Sequence, residues 1–145
     1  MHTISTLRSE TRTISIATPP ATVLDVVGDA RRLPSWAPAF ARTIRPDGAH
    51  WIVDDGEREL RIAVRVDRDH GTVDLLSAED DRRGAFARVL PNGGGSEFLF
   101  TLFFGPGTDE DAVARQMTVV EEELRSVRAL CEAGSAGGER AEDLA

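Results

Sequence analysis

The sequence contains no lysine and no tyrosine, and it has one cysteine and one asparagine in 145 residues. Without lysine the chain can neither form a Schiff base nor hold a phosphate with a P-loop lysine, and without tyrosine it has no phenol for acid catalysis. A single cysteine, Cys131, excludes an internal disulfide and a thiolate metal cluster, so we interpret it as a helix packing residue. All 17 basic residues are arginine, which is typical of a GC-rich bacterial genome.

Long apolar runs and an excess of positive charge are also missing. No apolar segment approaches the roughly 20 residues that a membrane span needs, and the first ten residues show neither a signal peptide nor an anchor. We therefore expect a cytoplasmic protein without membrane insertion. The formal net charge of -8 argues against nucleic-acid binding, because phosphate contacts need a basic surface. Whether the chain forms a homodimer stays open.

What is present suits one globular domain. Hydrophobic residues make up 41% of the chain and charged residues 29%, which is ordinary for a soluble protein, and the length is that of a single domain. We expect this domain over residues 10–134, after a flexible N-terminus at 1–9. Residues 135–145 consist of small and charged residues without periodicity, so we interpret them as a disordered tail.

The first part of the chain predicts a strand followed by two short helices. Ile14 and Ile16 alternate with polar residues, as in a strand with one buried face. Thr18 precedes two prolines and predicts a helix start, because its hydroxyl can cap free amides and proline tolerates the first turn. Gly28 is suited to end that helix in the left-handed conformation, and Asp29 to cap a second short helix.

Turn-forming residues then divide the middle of the chain at hairpin spacing and predict six antiparallel strands. The third of these six, near residues 58–67, has the clearest alternation, with one apolar and one polar face. The last strand carries apolar residues on both faces, which indicates either cover on both sides or an exposed contact surface. We place the strands near residues 41–46, 50–54, 58–67, 72–78, 85–90 and 96–104.

A long helix closes the sequence. Thr108 and the acidic residues after it form a helix entry that matches the helix dipole. An apolar stripe at helical spacing runs from Val113 to Cys131 and predicts about 25 helical residues, or roughly 38 Å, ending at Gly134.

This order of elements resembles the START-like (SRPBCC) superfamily, which includes the plant pollen-allergen fold, lipid-transfer START domains and bacterial polyketide cyclases. The resemblance covers residues 11–134 and is carried by the Pro-Pro-Ala-Thr-Val segment at 19–23, by residues 29–36 with Pro34 and Trp36, and by the closing helix. It implies an α+β helix-grip fold of β-α-α-β6-α order. In that fold a bent seven-stranded antiparallel sheet wraps the long helix and leaves a cavity for a sterol, lipid, hormone or polyketide.

The residues expected to line such a cavity are apolar and lie on the last strands, the long helix and near the helix pair. The alternative for each of them is core packing, which any fold requires of such a stripe. They are Trp36, Phe40, Trp51, Phe86, Phe98, Phe100, Leu102, Met117, Val120 and Leu124.

Few polar side chains are candidates for chemistry in the cavity. Arg88 shares a strand face with Phe86, and if that face is turned inward its guanidinium can bind a carboxylate or polarise a carbonyl. The alternative is an exposed Arg88 with its two neighbours inside. Arg65 lies opposite the apolar row of its strand and should be solvated, but it is the second candidate because the polyketide cyclases that the chain resembles often aim an arginine inward from this region. If neither arginine reaches the cavity and the cavity wall is wholly apolar, a cyclase loses its candidates.

Other chemistry has weaker support. No two of the three histidines have metal-ligand spacing, so we predict neither a metal nor a cofactor. The acidic run at 121–123 is interpreted as a solvated face. We favour a carrier that binds a lipid-like or polyketide-like molecule. The alternatives are a polyketide aromatase/cyclase or dehydratase acting on a bound chain, and a protein-interaction adaptor that uses the doubly apolar last strand.

Overall fold

The computed structural model describes residues 4–143 of the chain, with side chains described for residues 4–134. Within that range the chain forms seven strands, three α-helices and one short 3₁₀ helix. In order they are β1 (Arg8–Ile16), α1 (Pro20–Val27), the 3₁₀ helix (Ala30–Arg32), α2 (Leu33–Trp36), β2 (Thr43–Asp47), β3 (His50–Asp54), β4 (Glu59–Asp67), β5 (Thr72–Ser77), β6 (Gly84–Asn92), β7 (Gly95–Phe104) and α3 (Glu110–Asp143).

The strands form one antiparallel sheet of order β1-β7-β6-β5-β4-β3-β2. Consecutive hairpins join β2 to β7, and β1 returns to pair with β7, so that β1 and β2 are the two edges. The predicted α+β class, the seven strands and the long closing helix are confirmed.

The core lies on one face of the sheet, which we call the inner face. Cross-strand partners share a face, so the pairing of Ala87 with Phe100 places both there. From α3 the predicted apolar stripe contributes Val120 and Val127, which are completely buried. The three helices pack over this face, and α3 comes closest to the edge strand β1.

The short helices form where they were predicted, and Asp29 caps as predicted, but Thr18 and Gly28 do not act as predicted. Asp29 caps the 3₁₀ helix, because its Oδ1 accepts a hydrogen bond from the Arg31 amide at 3.1 Å. Thr18 makes no cap: Pro19 occupies that position and the threonine is buried. Gly28 is right-handed, with φ of -85°. A glycine is needed there because a Cβ would lie 2.7 Å from the Leu24 carbonyl oxygen.

The long helix differs from its prediction at the C-terminal end. It continues to Asp143 and does not stop at Gly134. Gly134 does not adopt the positive φ of a helix terminator, and a glycine inside a helix costs only about 1 kcal/mol relative to alanine. Side chains beyond Gly134 lie outside the described residues, so the domain boundary at 134 stays a prediction. Residues 1–3 of the expected flexible N-terminus also lie outside them, while β1 already begins at Arg8.

No helix in the described residues is both long and apolar enough to cross a membrane.

Candidate ligand-binding site

Six of the ten predicted lining residues belong to the closely packed core. Each has at most 5% of its surface exposed, so almost none of it adjoins solvent or a space large enough for water. Phe100 makes edge-to-face contacts with Trp36 and Phe98, at centroid distances of 6.4 and 6.3 Å. Their role as ligand contacts stays a prediction. The six are Trp36, Phe98, Phe100, Met117, Val120 and Leu124.

A second set of inner-face side chains keeps part of its surface accessible. Trp51 pairs with the buried Ile62 and Leu102 pairs with Ala85, so the set shares the face of the core. Three of its members, Phe40, Trp51 and Leu102, were predicted from sequence. We call this set the inner apolar surface; it comprises Phe40, Ile44, Trp51, Val64, Ala85, Leu102 and Phe104.

Neither of the two best-formed pockets of the described residues is the predicted cavity between the sheet and the long helix. The two best-formed pockets are open grooves beside β1. One, of about 480 Å³, includes Ser15, Arg128 and Glu132; the other, of about 230 Å³, includes Arg12 and Glu121. Neither lies between the inner apolar surface and α3. The core side chains of α3 and β7 occupy that space, so a ligand must displace some of them to enter deeply.

Phe86 was predicted as a wall of the cavity and Arg88 was a candidate for the inner face, with an exposed Arg88 as the alternative; both residues lie on the outer face. Strand alternation decides this, because Ala85 and Ala87 between them take the inner positions. Phe86 packs instead against the exposed Phe103, with ring centroids 5.8 Å apart. Phe86 as a cavity wall and Arg88 inside the cavity are therefore wrong.

Arg65 also faces outward. Its Nη2 lies 3.0 Å from Oδ2 of Asp74, its cross-strand partner on the outer face. The solvated Arg65 that the alternation predicts is what the structure has, and the inward alternative is wrong, because the inner row of β4 belongs to Ile62 and Val64. Neither arginine candidate for catalysis reaches the interior.

Glu123 was interpreted as part of a solvated acidic run, but it is buried, with 7% of its surface exposed. Burial, and to a smaller extent the charge of Glu122, raise the pKa of its carboxyl to about 7. The sequence does carry a signal for this placement. Glu123 lies three residues after Val120 and four before Val127, and helix neighbours at these spacings share a face.

The indole Nε1 of Trp36 has no hydrogen-bond partner among the described residues, whereas a second buried polar atom, the hydroxyl of Thr18, lies beside the Cys131 thiol. Buried polar groups are nearly always paired, and an unpaired one costs about 1–3 kcal/mol. Trp36 is the more informative of the two, because α2 packs directly against α3. Its N–H offers a hydrogen bond inside an otherwise apolar region.

Arg31 lies at one end of the inner apolar surface. Its guanidinium carbon is 5.1 Å from the ring centroid of Trp51, within the range of a cation–π contact. This arrangement places a positive charge beside Trp51 of the inner apolar surface.

Cys131 is a packing residue, as predicted. It is 1% exposed, and burial raises the pKa of its thiol to about 11. No group of three or more histidine, cysteine or acidic side chains in the described residues is arranged to hold a metal ion.

Comparison with known proteins supports the predicted fold. A family model described as "Polyketide cyclase / dehydrase and lipid transport" matches residues 9–132. No curated protein matches the chain.

Solved structures with the same fold have low sequence identity to the chain. A START superfamily protein from Mycobacterium smegmatis has a TM-score of 0.66 at 12% identity, covering 86% of this chain and 97% of that one. The Zhui aromatase/cyclase from Streptomyces sp. R1128 has a TM-score of 0.62 at 16% identity, covering 87% of this chain and 94% of that one. An Aha1 dimer from Colwellia psychrerythraea has a TM-score of 0.67 at 15% identity, covering 88% of this chain and 98% of that one. Together with the family match, they confirm the START-like fold.

Proposed function

Because the chain belongs to the polyketide cyclase / dehydrase and lipid transport family, we propose that it binds a hydrophobic small molecule, lipid-like or polyketide-like, against the inner apolar surface. The observation that carries the proposal is that this core-side face of the sheet keeps accessible apolar side chains. Leu60 and Val66 extend it along the inner row of β4, with exposures of 44% and 36%.

The energetic argument follows from the apolar area that a ligand would cover. Each 100 Å² of apolar surface removed from water contributes about 2.5 kcal/mol before the costs of association. Trp51 on β3 and Leu102 and Phe104 on β7 are partly exposed large apolar side chains of this surface. Deeper insertion requires α3 side chains to move, and Met117, with its flexible thioether, is the one best suited to repack around a ligand.

The test is a fluorescence titration with N-phenyl-1-naphthylamine, a neutral apolar probe. Ala85 lies on the inner face and Ala63 on the outer face, and both are half-buried on neighbouring parts of the sheet. Ala85→Phe should weaken probe binding at least about tenfold, because the ring fills the surface that the probe covers. Ala63→Phe is the matched control and should change it less than about twofold. Equal effects of the two variants, or no binding by the wild type, would contradict the proposal.

A polyketide cyclase or dehydratase is the second candidate, and the family description supports it. With Arg65 and Arg88 on the outer face, the buried carboxyl of Glu123 is the candidate proton carrier. Native mass spectrometry of the protein purified from its own host separates the two functions. A carrier should retain an unmodified hydrophobic ligand, whereas an enzyme should convert an added aromatic polyketide thioester and lose turnover in Glu123→Gln.

Self-association is a second proposed property, and it concerns the outer face. Phe103 is 48% exposed beside Phe86, and one solved structure of the same fold is described as a dimer. Sedimentation should give a dimeric wild type and a monomeric Phe103→Ser. A monomeric wild type would contradict the homodimer and leave this patch to the adaptor alternative.

A further inference from the structure

Glu123 is the buried ionisable group that the fold does not explain. A carboxylate removed from water is costly unless it is paired, yet no described residue donates a hydrogen bond to Glu123. The charged group that acts on its pKa is another acid, Glu122, which raises it further. Two other acidic side chains of α3 are paired. Glu121 accepts a hydrogen bond from Nε of Arg12 at 3.1 Å, and Glu132 accepts one from the Ala17 amide at 2.9 Å.

The direction of Glu123 follows from those two contacts. Glu121 and Glu132 lie on the flank of α3 that faces β1, an edge of the sheet. Glu123 is two residues beyond Glu121, about 200° around the helix, and so lies on the opposite flank. From β1 the sheet extends only one way, through β7 and β6 towards β3. The flank that carries Glu123 therefore faces the part of the sheet that holds the inner apolar surface.

An independent observation on a neighbouring helix also points to a polar ligand group. Trp36, which is 2% exposed, has an indole N–H without an acceptor among the described residues, and it belongs to α2, the helix that packs against α3. Two elements in contact thus each hold a largely buried polar side chain to which no described residue is hydrogen-bonded: Trp36 on α2, and Glu123, with 7% of its surface exposed, on α3. A molecule with one oxygen function on an apolar body would satisfy groups of this kind, because a carboxyl both donates and accepts hydrogen bonds.

We propose that Glu123 is the polar anchor of the ligand site, where its carboxyl hydrogen-bonds to a hydroxyl or carbonyl oxygen of a hydrophobic molecule bound against the inner apolar surface. This inference rests on the proposed function and narrows its ligand class to oxygenated hydrophobic molecules, such as phenols or hydroxylated polycyclic compounds. It also explains why an unfavourable buried acid occupies this position, since functional sites often carry groups that lower stability.

The experiment compares two probes of the same shape, 2-naphthol and 2-methylnaphthalene, by fluorescence titration. In Glu123→Leu the affinity for 2-naphthol should fall about tenfold, because one hydrogen bond is lost, while that for 2-methylnaphthalene should change less than about twofold. Glu123→Gln should keep most of the 2-naphthol affinity, since an amide also donates and accepts. Glu121→Gln, on the other flank of α3, is the matched control and should alter neither affinity.

Each result decides one claim. An equal loss of both probes in Glu123→Leu would assign the residue to packing and overturn the anchor. Unchanged 2-naphthol binding in that variant would also overturn it, while leaving the proposed function intact. Binding of neither probe by the wild type would contradict the proposed function itself. Thermal unfolding of each variant checks folding, and Glu123→Leu should melt at a higher temperature than the wild type because it removes an unpaired buried acid.

Discussion

Replacing Glu123 by glutamine is expected to stabilise the protein progressively as the pH rises from 5.5 to 8. Burial raises the pKa of this carboxyl in the folded chain to about 7 from an ordinary value of 4.5. Because the folded state binds the proton more tightly than the unfolded state, the contribution of protonated Glu123 to stability is fully present below pH 4.5. It is lost as the pH rises through 7.

The size of the effect follows from the same two values. One pKa unit corresponds to about 1.4 kcal/mol, so the whole titration costs the wild type about 3 kcal/mol of unfolding free energy. Between pH 5.5 and pH 8.0 the loss is about 2 kcal/mol. Glutamine has nearly the same shape and does not titrate, so the stability difference between Glu123→Gln and the wild type should grow by that amount.

The assay is urea unfolding followed by circular dichroism at pH 5.5, 6.5, 7.25 and 8.0, which avoids the isoelectric region near pH 4.9. Gln116→Ala, an exposed neutral change on the same helix, is the control, and its difference from the wild type should not vary with pH. A constant difference between Glu123→Gln and the wild type over this range would show that the carboxyl titrates as it does in water, and it would refute its burial.

Two further predictions test the packing. Gly71 has a positive φ of 72°, and a Cβ there would lie 2.4 Å from the Val89 carbonyl oxygen. At Gly48, with φ of 61°, a Cβ would meet no atom within 4 Å. In urea unfolding, Gly71→Ala should therefore lower the unfolding free energy clearly more than Gly48→Ala, for which roughly 1 kcal/mol of backbone strain is expected. Cys131 should react with a thiol reagent at pH 8 only after unfolding, because it is buried and its pKa is raised to about 11; rapid labelling of the native protein would contradict this.

The strands were predictable because their alternation and turns are local signals. In β4 the row Ile62 and Val64 differs so clearly from Arg61 and Arg65 that only one face can be buried. The helix stripe from Val113 to Cys131 is equally explicit. These patterns determine the order of elements, and the order determines the fold.

The face of β6 was not predictable from the strand alone. Phe86 belongs to one row and Ala87 to the other, so hydrophobicity favours the larger side chain for the core. Pairing with β7 reverses the choice, because Ala87 lies opposite the large Phe100 and there is room only for a small partner. This information is in the neighbouring strand, and it moves Arg88 to the outer face together with Phe86.

The candidate site was predictable only in part for a related reason. Trp51 and Leu102 keep accessible surface while Phe98 and Val120 do not, and a hydrophobic pattern cannot separate a side chain that faces a groove from one that fills the core. Glu123 was assigned to solvent because three acids in sequence resemble a charged surface. Its spacing to the buried stripe was the more specific signal.

The location of a bound hydrophobic molecule tests the account most directly. With alanine methyl groups labelled with carbon-13, nuclear Overhauser effects from N-phenyl-1-naphthylamine report which face of the sheet it contacts. Binding against the inner apolar surface predicts effects at the Ala85 methyl and none at Ala63 on the outer face. Contacts to Ala63 without contacts to Ala85 would contradict it.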